Sequence, residues 1–304
     1  MADFTLNKRK VGSHGVAVSE LGFGAGGFWG MEIFSEQLAR NLVDVAIDHG
    51  VNFFDTGPNY SGGNAEVRLG KILGGRSAKL CIGTKCGTHL IGGRHVKDYS
   101  HKALRRSLDG SLQKLLVDHV DVLQLHGMPK KLDDETIEFL IAAKRRGDAR
   151  LLGVSTDLAG AELALSLGIF DCVMIEYNVI KRREQEHFIG RCADAGLGIM
   201  VKSPLAQTLY SDEIFKIRKL SDVWYLLRAL KNHRSKFLAG RKYRFLSGFE
   251  NFTCHELALE YVLSNPNISC AIIGTTNPSH LVRNFSASLK TIPEDIKRSI
   301  EAIH

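Results

Sequence analysis

Short β-prone runs alternate with helix-period segments along the whole chain, and this alternation restricts the fold more than any other feature. Runs at 21–24, 51–55, 79–85, 120–126, 151–154, 172–175, 198–201 and 270–273 are apolar and bounded by turn residues, as strands are. Helical spacing fills the gaps, at 35–49, 65–73, 101–116, 133–146, 159–167, 182–195 and 254–264. In the first of these Leu38, Leu42, Val45 and Ala46 share a face, and in the third Leu104, Leu108, Leu112 and Leu115 do. Strand then helix, repeated eight times, predicts an α/β fold: one closed parallel (β/α)8 TIM barrel, with residues 1–304 as a single domain. Two additions are expected. Residues 8–18, KRKVGSHGVAV, carry two glycine turns and predict a β-hairpin ahead of the first barrel strand. Residues 207–252 predict a long helical segment between strands seven and eight, with Ile214, Ile217, Leu220, Val223, Trp224 and Leu227 on its packed face.

In such a barrel side chains alternate between the lumen and the helix layer, and the C-terminal strand ends meet at one mouth. The run Val51-Asn52-Phe53-Phe54-Asp55 ends in an acid and is followed by Thr56-Gly57-Pro58-Asn59-Tyr60, a turn that carries a tyrosine. Asp55, Lys85 and His126 each close an expected strand, at separations of 30 and 41 residues, roughly one β/α unit each. They should therefore stand side by side at the mouth with Tyr60 beside them. One charged strand end is usually a structural group; three in succession next to a tyrosine point to a site. After the first strand, Ala25-Gly26-Gly27 either lets the backbone approach another group closely or forms a plain turn.

Composition narrows the class. With 44% hydrophobic residues the chain can bury a large core, yet no run of about 20 apolar residues is present to span a membrane. The opening MADFTLNKRK lacks the apolar stretch of a secretory signal. Cys81, Cys86, Cys172, Cys192, Cys254 and Cys270 show no CxxC spacing, and His89, His95 and His101 are too scattered to be more than surface residues, so no metal site or disulfide framework is indicated. A reduced, cytoplasmic protein without a membrane partner is expected. Of the net +7 charge, residues 207–252 carry +6, with ten Lys/Arg against four Asp/Glu. That concentration, without a nucleic-acid-binding motif, points to an anionic small molecule nearby or to a solvated helix face. No GxGxxG follows the first strand, so a Rossmann domain is not the nucleotide site.

The segments FDTGPNY (54–60), Glu66 with Leu69-Gly70, IGTK (82–85), SLQKLLVDHVDVLQLH (111–126), GVS (153–155), EYN (176–178), SPL (203–205) and IIGTTNPSHLVRN (272–284) stand in a telling order. In order and spacing the chain resembles the aldo-keto reductase family, its bacterial-type members in particular, over nearly its whole length. The resemblance implies hydride transfer from a reduced nicotinamide to a carbonyl carbon while an acid protonates the developing alkoxide. Tyrosine, with an ordinary pKa of about 10, suits that acid once a cation lies beside it. The resemblance thus assigns Tyr60 as general acid, Lys85 as its tuning cation, Asp55 as the anchor of Lys85, and His126 as the group that orients the carbonyl. Without Tyr60, Asp55 and Lys85 would read as a structural ion pair.

The implied coenzyme site departs from the family pattern. Where the family holds the nicotinamide amide with a Ser-Asn pair and a Gln, this chain has Ser155, Thr156 and Glu176. Glu176, when ionised, accepts from the amide NH2 but gives nothing to its oxygen. Where an aromatic ring often stacks, ahead of Ser203 and Leu205, stands Lys202. Gly274, Thr275 and Thr276, with His280, Arg283 and Asn284 on the helix opened by Pro278, resemble a 2′-phosphate site, so NADP (NADPH) is expected over NAD. Gly127 replaces a bulky aromatic of many relatives and implies a wider pocket; Phe28, Trp29, Tyr99 and Trp224 are its candidate walls, or core. The expected substrate is a small carbonyl compound, anionic or sugar-like. Alternatives are a nucleotide-holding regulatory barrel, as in potassium-channel β subunits, and a redox-neutral enzyme using Tyr60 and Lys85 for proton transfer. An aldolase is disfavoured, because its Schiff-base lysine normally comes later in the barrel than Lys85.

Overall fold

The computed structural model describes residues 4–13, 15–206, 210, 223 and 239–303. The chain opens on the expected antiparallel hairpin, β1 (Lys8–Lys10) with β2 (Ala17–Ser19). Barrel strands β3 (Leu21–Gly24), β4 (Phe53–Asp55) and β5 (Cys81–Cys86) follow. A second hairpin interrupts them, β6 (Thr88–Ile91) with β7 (Arg94–Lys97). The barrel then resumes with β8 (Val120–His126), β9 (Ala149–Ser155), β10 (Cys172–Glu176), β11 (Gly198–Lys202) and β12 (Ile268–Ile273), which pairs back onto β3 and closes the ring. All the barrel pairings are parallel.

Helices cover the outside: α1 (Glu36–Asp48), α2 (Asn64–Leu73), α3 (His101–Leu115), α4 (Asp134–Arg146), α5 (Leu158–Leu167), α6 (Arg183–Asp194), α7 (Cys254–Leu263), α8 (Pro278–Ala287) and α9 (Glu294–Glu301). Short polar side chains start many of them. Ser35, Ser100, Asp133 and Asp157 each accept a backbone N–H of the first turn, and Thr253 forms a capping box with Glu256. Their apolar faces pack onto the barrel, though in α1 the buried set is Ala39, Leu42, Val43 and Ala46, with Leu38 left exposed.

Alternation along the strands divides the lumen into two levels. Phe53, Val122, Leu151, Cys172, Met174, Met200, Cys270 and Ile272 fill its lower part, and Val11, Val16 and Val18 of the first hairpin plug the N-terminal end. Each buried valine contributes about 1.5–3 kcal/mol, enough to hold a hairpin that would not stand alone in water. Arg9 adds bonds to the carbonyls of Leu263 (2.8 Å) and Ile268 (3.1 Å) and to Glu20 (3.0 Å). One step up the strands, on the same lumen-facing parity, the side chains turn polar. That switch creates the site.

Three expectations need correction. Lys85 is not the last residue of its strand, since pairing continues through Cys86 to Leu125. The second hairpin was not anticipated, although Gly92 and Gly93 (φ 56° and 76°) supply the left-handed residues a two-residue turn requires. It also leaves His89 half-buried, while His95 and His101 are at the surface as expected. Of the segment 207–252, Ile214, Ile217, Leu220, Trp224, Leu227 and the rest of 211–222 and 224–238 lie outside the described residues, and Val223 is exposed rather than packed. Its far end, a 3-10 turn at Arg241–Gly248, exposes Arg241, Lys242 and Arg244.

Candidate active site

Lys85 is the centre of the polar level. It is 1% exposed, yet its ammonium donates to both Asp55 carboxylate oxygens (2.8 and 2.7 Å) and to the Thr56 carbonyl (2.7 Å). Burial pulls the basicity of Lys85 down, but Asp55 and then Tyr60 outweigh it and hold the group charged above the ordinary lysine value. Gln124, next to Lys85 in register, donates to Asp55 Oδ1 (3.1 Å) and keeps the carboxylate facing the lysine. Sequence reasoning overlooked Gln124. The available signal was its place two residues before His126, on the same face of β8.

Tyr60 arrives from the loop after β4. Ser61, Gly62 and Gly63 all have positive φ (56°, 70° and 95°), and Ser61 Oγ donates to the Gly27 carbonyl (2.6 Å), so the loop folds back over the β3 exit. The glycines at 26 and 57 receive the tyrosine ring: a Cβ on Gly26 would lie 2.8 Å from Tyr60 Cδ2, and one on Gly57 would lie 3.3 Å from Cε1. The close approach expected at Ala25-Gly26-Gly27 is thus to Tyr60. Lys85 Nζ stands 4.8 Å from the ring centroid of Tyr60, and the rings of Tyr60 and His126 meet edge to face at 5.8 Å and 75°. Asp55, Tyr60, Lys85 and His126 therefore form one cluster.

His126 is hard to protonate. Burial, reinforced by Lys85, Lys97, Lys202 and His95 in that order, pulls its pKa down to about 3. Lys97 comes from the second hairpin. Its ammonium donates to Thr88 Oγ1 (2.7 Å) and to the backbone carbonyl of His126. Tyr99 Oη donates to the Gly127 carbonyl (3.0 Å). A Cβ on Gly127 would lie 3.0 Å from Lys97 Nζ and 3.4 Å from Tyr99 Oη. The space left by glycine at 127 is therefore filled by Lys97 and Tyr99, not opened as a wider pocket. Trp29 is not a wall either: it is 1% exposed, donates to the Ala39 carbonyl (3.3 Å) and belongs to the core. Phe28 is half-buried and packs edge-on against Phe34, while Trp224 lies outside the described residues.

Across the mouth, β9, β10 and β11 bring Ser155, Glu176 and Lys202 to the same polar level. Ser155 is level with His126, and Glu176 with Lys202. Lys202 Nζ donates to Ser155 Oγ (3.3 Å) and to the Thr156 carbonyl (3.0 Å). Burial and then repulsion from Lys85 pull its pKa down to about 8, with Glu176 acting the other way. Thr156 turns its hydroxyl toward Asp157 and Gly160, so it offers the lumen its carbonyl alone. Ser203 follows with φ 56°, its carbonyl accepting from Asn178 Nδ2 (3.0 Å), and half-buried Leu205 completes the turn. Beyond β12, a Cβ on Gly274 would meet the Gly24 carbonyl at 3.3 Å, which sets Gly274, Thr275 and Thr276 beside the β3 exit. Thr275 Oγ1 accepts from Asn277 N (3.1 Å) and Asn277 caps α8 through Ser279 N (3.0 Å). On α8 His280 and Arg283 are exposed, and Asn284 is buried.

The aldo/keto reductase family profile matches residues 20–304. The chain belongs to this family. A probable voltage-gated potassium channel subunit beta of Arabidopsis thaliana is 30% identical over 302 residues, covering 93% of this chain and 91% of that one. An NADH-specific methylglyoxal reductase of Escherichia coli is 24% identical over 307 residues, covering 93% of each. Among solved structures, a Bacillus halodurans aldo-keto reductase in its holo form superposes with a TM-score of 0.81 at 25% identity, covering 98% of this chain and 96% of that one.

Aldo/keto reductases use nicotinamide coenzymes, and the donor set of this family member fits the ring's carboxamide. A carboxamide needs an acceptor for its NH2 and a donor for its oxygen. Glu176 has the acceptor; Lys202, beside it in register, has the donor. These two departures from the family pattern complement each other.

Proposed function

We propose that the chain reduces an aldehyde or ketone to an alcohol with NADPH, and that Tyr60 gives the proton. The observation that carries this reading is a fully buried ammonium at Lys85, fixed by Asp55 on one side and facing the Tyr60 ring on the other, with His126 edge-on to that ring. A carbonyl oxygen seated between Tyr60 and His126 meets two donors. His126 stays neutral at physiological pH and orients the oxygen through a ring N–H. The coenzyme, when bound, supplies a hydride to the carbonyl carbon. Tyr60 then transfers its phenolic proton to the oxygen, and Lys85 compensates the negative charge left on the ring oxygen. Asp55, steadied by Gln124, keeps that lysine charged while it is out of water.

Support for NADPH over NADH comes from the exposed Arg283 in the middle of α8, since an arginine binds phosphate bidentately and never loses its charge. Glu176 and Lys202 would hold the carboxamide, with Ser155 beside them. Titration with NADPH and NADH by tryptophan fluorescence, on wild type and Arg283→Ala, tests the coenzyme; turnover of an aldehyde panel by Tyr60→Phe tests the acid. NADPH should bind more tightly than NADH, Arg283→Ala should narrow that gap, and Tyr60→Phe should bind but not turn over. A Tyr60→Phe protein as active as wild type would sink the mechanism.

A second reading, a nucleotide-holding barrel with little turnover, is favoured by the 30% identity to the Arabidopsis channel subunit. In that case wild type would bind NADPH tightly and reduce nothing in the panel.

A further inference from the structure

Among the described residues the mouth of the barrel holds three lysines, and they are not equally neutralised. Lys85 is paired with Asp55 at 2.7 Å, and Lys202 is level with Glu176. Lys97 has neither. Among the described residues no carboxylate lies within salt-bridge distance of it, and its neighbour Asp98 is turned to the Ser100 backbone (3.0 Å). What Lys97 touches is neutral: Thr88 Oγ1 at 2.7 Å and the His126 carbonyl.

Fastening the hairpin does not require a charge. Lys97 lies on an exposed strand and keeps access to water, and a neutral donor would close the same two contacts without bringing a charge to the mouth. The hairpin is in any case secured elsewhere, by Asn59 Nδ2 on the Thr88 carbonyl and by Tyr99 on the Gly127 carbonyl. An ammonium has three N–H groups, and two are engaged. The third is open to solvent or to a ligand.

Position decides which ligand. Lys97 Nζ lies over Gly127, at the exit of β8, so it belongs to the His126 side of the mouth; Ser155 is next to His126 on β9, and Glu176 and Lys202 lie farther round, on β10 and β11. Its charge reaches the His126 ring, as does that of His95, two residues earlier on the same face of β7. A compound whose carbonyl oxygen sits between Tyr60 and His126 and that extends along the β8 exit would meet this cation.

We propose that Lys97 is a specificity-determining residue, and that the carbonyl substrate carries a carboxylate or phosphate within a few atoms of its carbonyl, paired to the Lys97 ammonium in the hairpin over Gly127. This rests on the reductase reading and narrows its substrate class. The test pairs calorimetric titration of the NADPH-loaded protein with oxamate and its neutral analogue oxamide, and steady-state kinetics on glyoxylate, glycolaldehyde phosphate and glycolaldehyde. Oxamate should bind at least tenfold more tightly than oxamide. One of the two anionic aldehydes should exceed glycolaldehyde at least tenfold in kcat/KM, mainly through KM, and which one does so separates carboxylate from phosphate. Raising the ionic strength should shrink that advantage. Lys97→Gln, which keeps a hydrogen-bond donor, should lower the anion-to-neutral ratio at least tenfold, and Lys97→Arg should keep most of it. Equal handling of anion and neutral by wild type overturns the proposal. So does a Lys97→Gln protein that loses both in the same proportion, because Lys97 would then be a hairpin clamp only. If no aldehyde is reduced and no nucleotide binds, the reductase reading fails. Oxamate titration of the nucleotide-free wild type and Lys97→Gln then still decides the cation: binding lost in the variant supports the site, and no binding to wild type removes it.

Discussion

Replacing Asp55 by Asn should cost this protein far more than a surface ion pair would, because it strands a cation in the core. The Lys85 ammonium lies 2.7 Å from Asp55 Oδ2 and is 1% exposed. At that distance and an effective dielectric of about 20, the attraction is about 6 kcal/mol before desolvation is counted. Asparagine retains a hydrogen-bond acceptor and the Thr56 carbonyl still bonds the lysine, so the net loss should fall at about 3–5 kcal/mol, the range for breaking a buried pair from one side. Lys85→Met in the Asn background removes the stranded charge and should recover at least about 2 kcal/mol. Equilibrium urea unfolding of wild type, both single variants and the double variant measures this. The pH dependence adds a sign. In wild type the raised Lys85 proton affinity gives stability that is complete below the ordinary lysine value and is lost only as pH rises through the higher folded value. In Asp55→Asn, burial loses its largest counterweight and outweighs what Tyr60 supplies, the folded lysine sheds its proton below the unfolded value, and the deficit should shrink between pH 7 and 10. A loss below about 1 kcal/mol at pH 7, or strict additivity of the two substitutions, would refute the view that the pair is buried and coupled.

Other expectations concern the groups around that pair. Gly26→Ala should push the Tyr60 ring off its seat, since the new Cβ would lie 2.8 Å from Cδ2; turnover should fall by about tenfold or more while thermal unfolding changes little. Because the His126 pKa is pulled down to about 3, kcat/KM should show no histidine limb between pH 5 and 8. The same shift means that the unfolded chain gains a proton near 6.5 that the folded one refuses, so stability should decline as pH falls from there toward 3, and less steeply in His126→Gln. NADPH affinity should change through a pH near 8 as Lys202 titrates, and Lys202→Met should flatten that profile in fluorescence titrations.

Much of the mouth was legible in the chain because strand periodicity is local. A residue at the end of an apolar run has its face set by parity, so Asp55, Lys85 and His126 could be set side by side before any contact was known. The same parity marks Gln124, but a glutamine amid apolar residues announces no partner; its role appears only when β8 lies level with β5 and Asp55 is within reach. Ser155 and Glu176 were likewise expected at the site. That Glu176 and Lys202 share a level was a matter of register between strands, which no spacing along the chain reports.

The sequence by itself determined the barrel, the hairpin ahead of it and the placing of Asp55, Lys85 and His126 side by side, since amphipathic period, turn residues and strand parity are properties of neighbouring residues. Tertiary structure alone decided what surrounds that cluster. Gly127 reads as an opening until the preceding hairpin lays Lys97 across it together with Tyr99, and Trp29 reads as wall or core until α1 and α2 bury it. Proton affinities followed the same rule. Nothing in the local sequence of His126 lowers its pKa; burial and three lysines from β5, β7 and β11 do so together, because Coulomb interactions depend on distance through space.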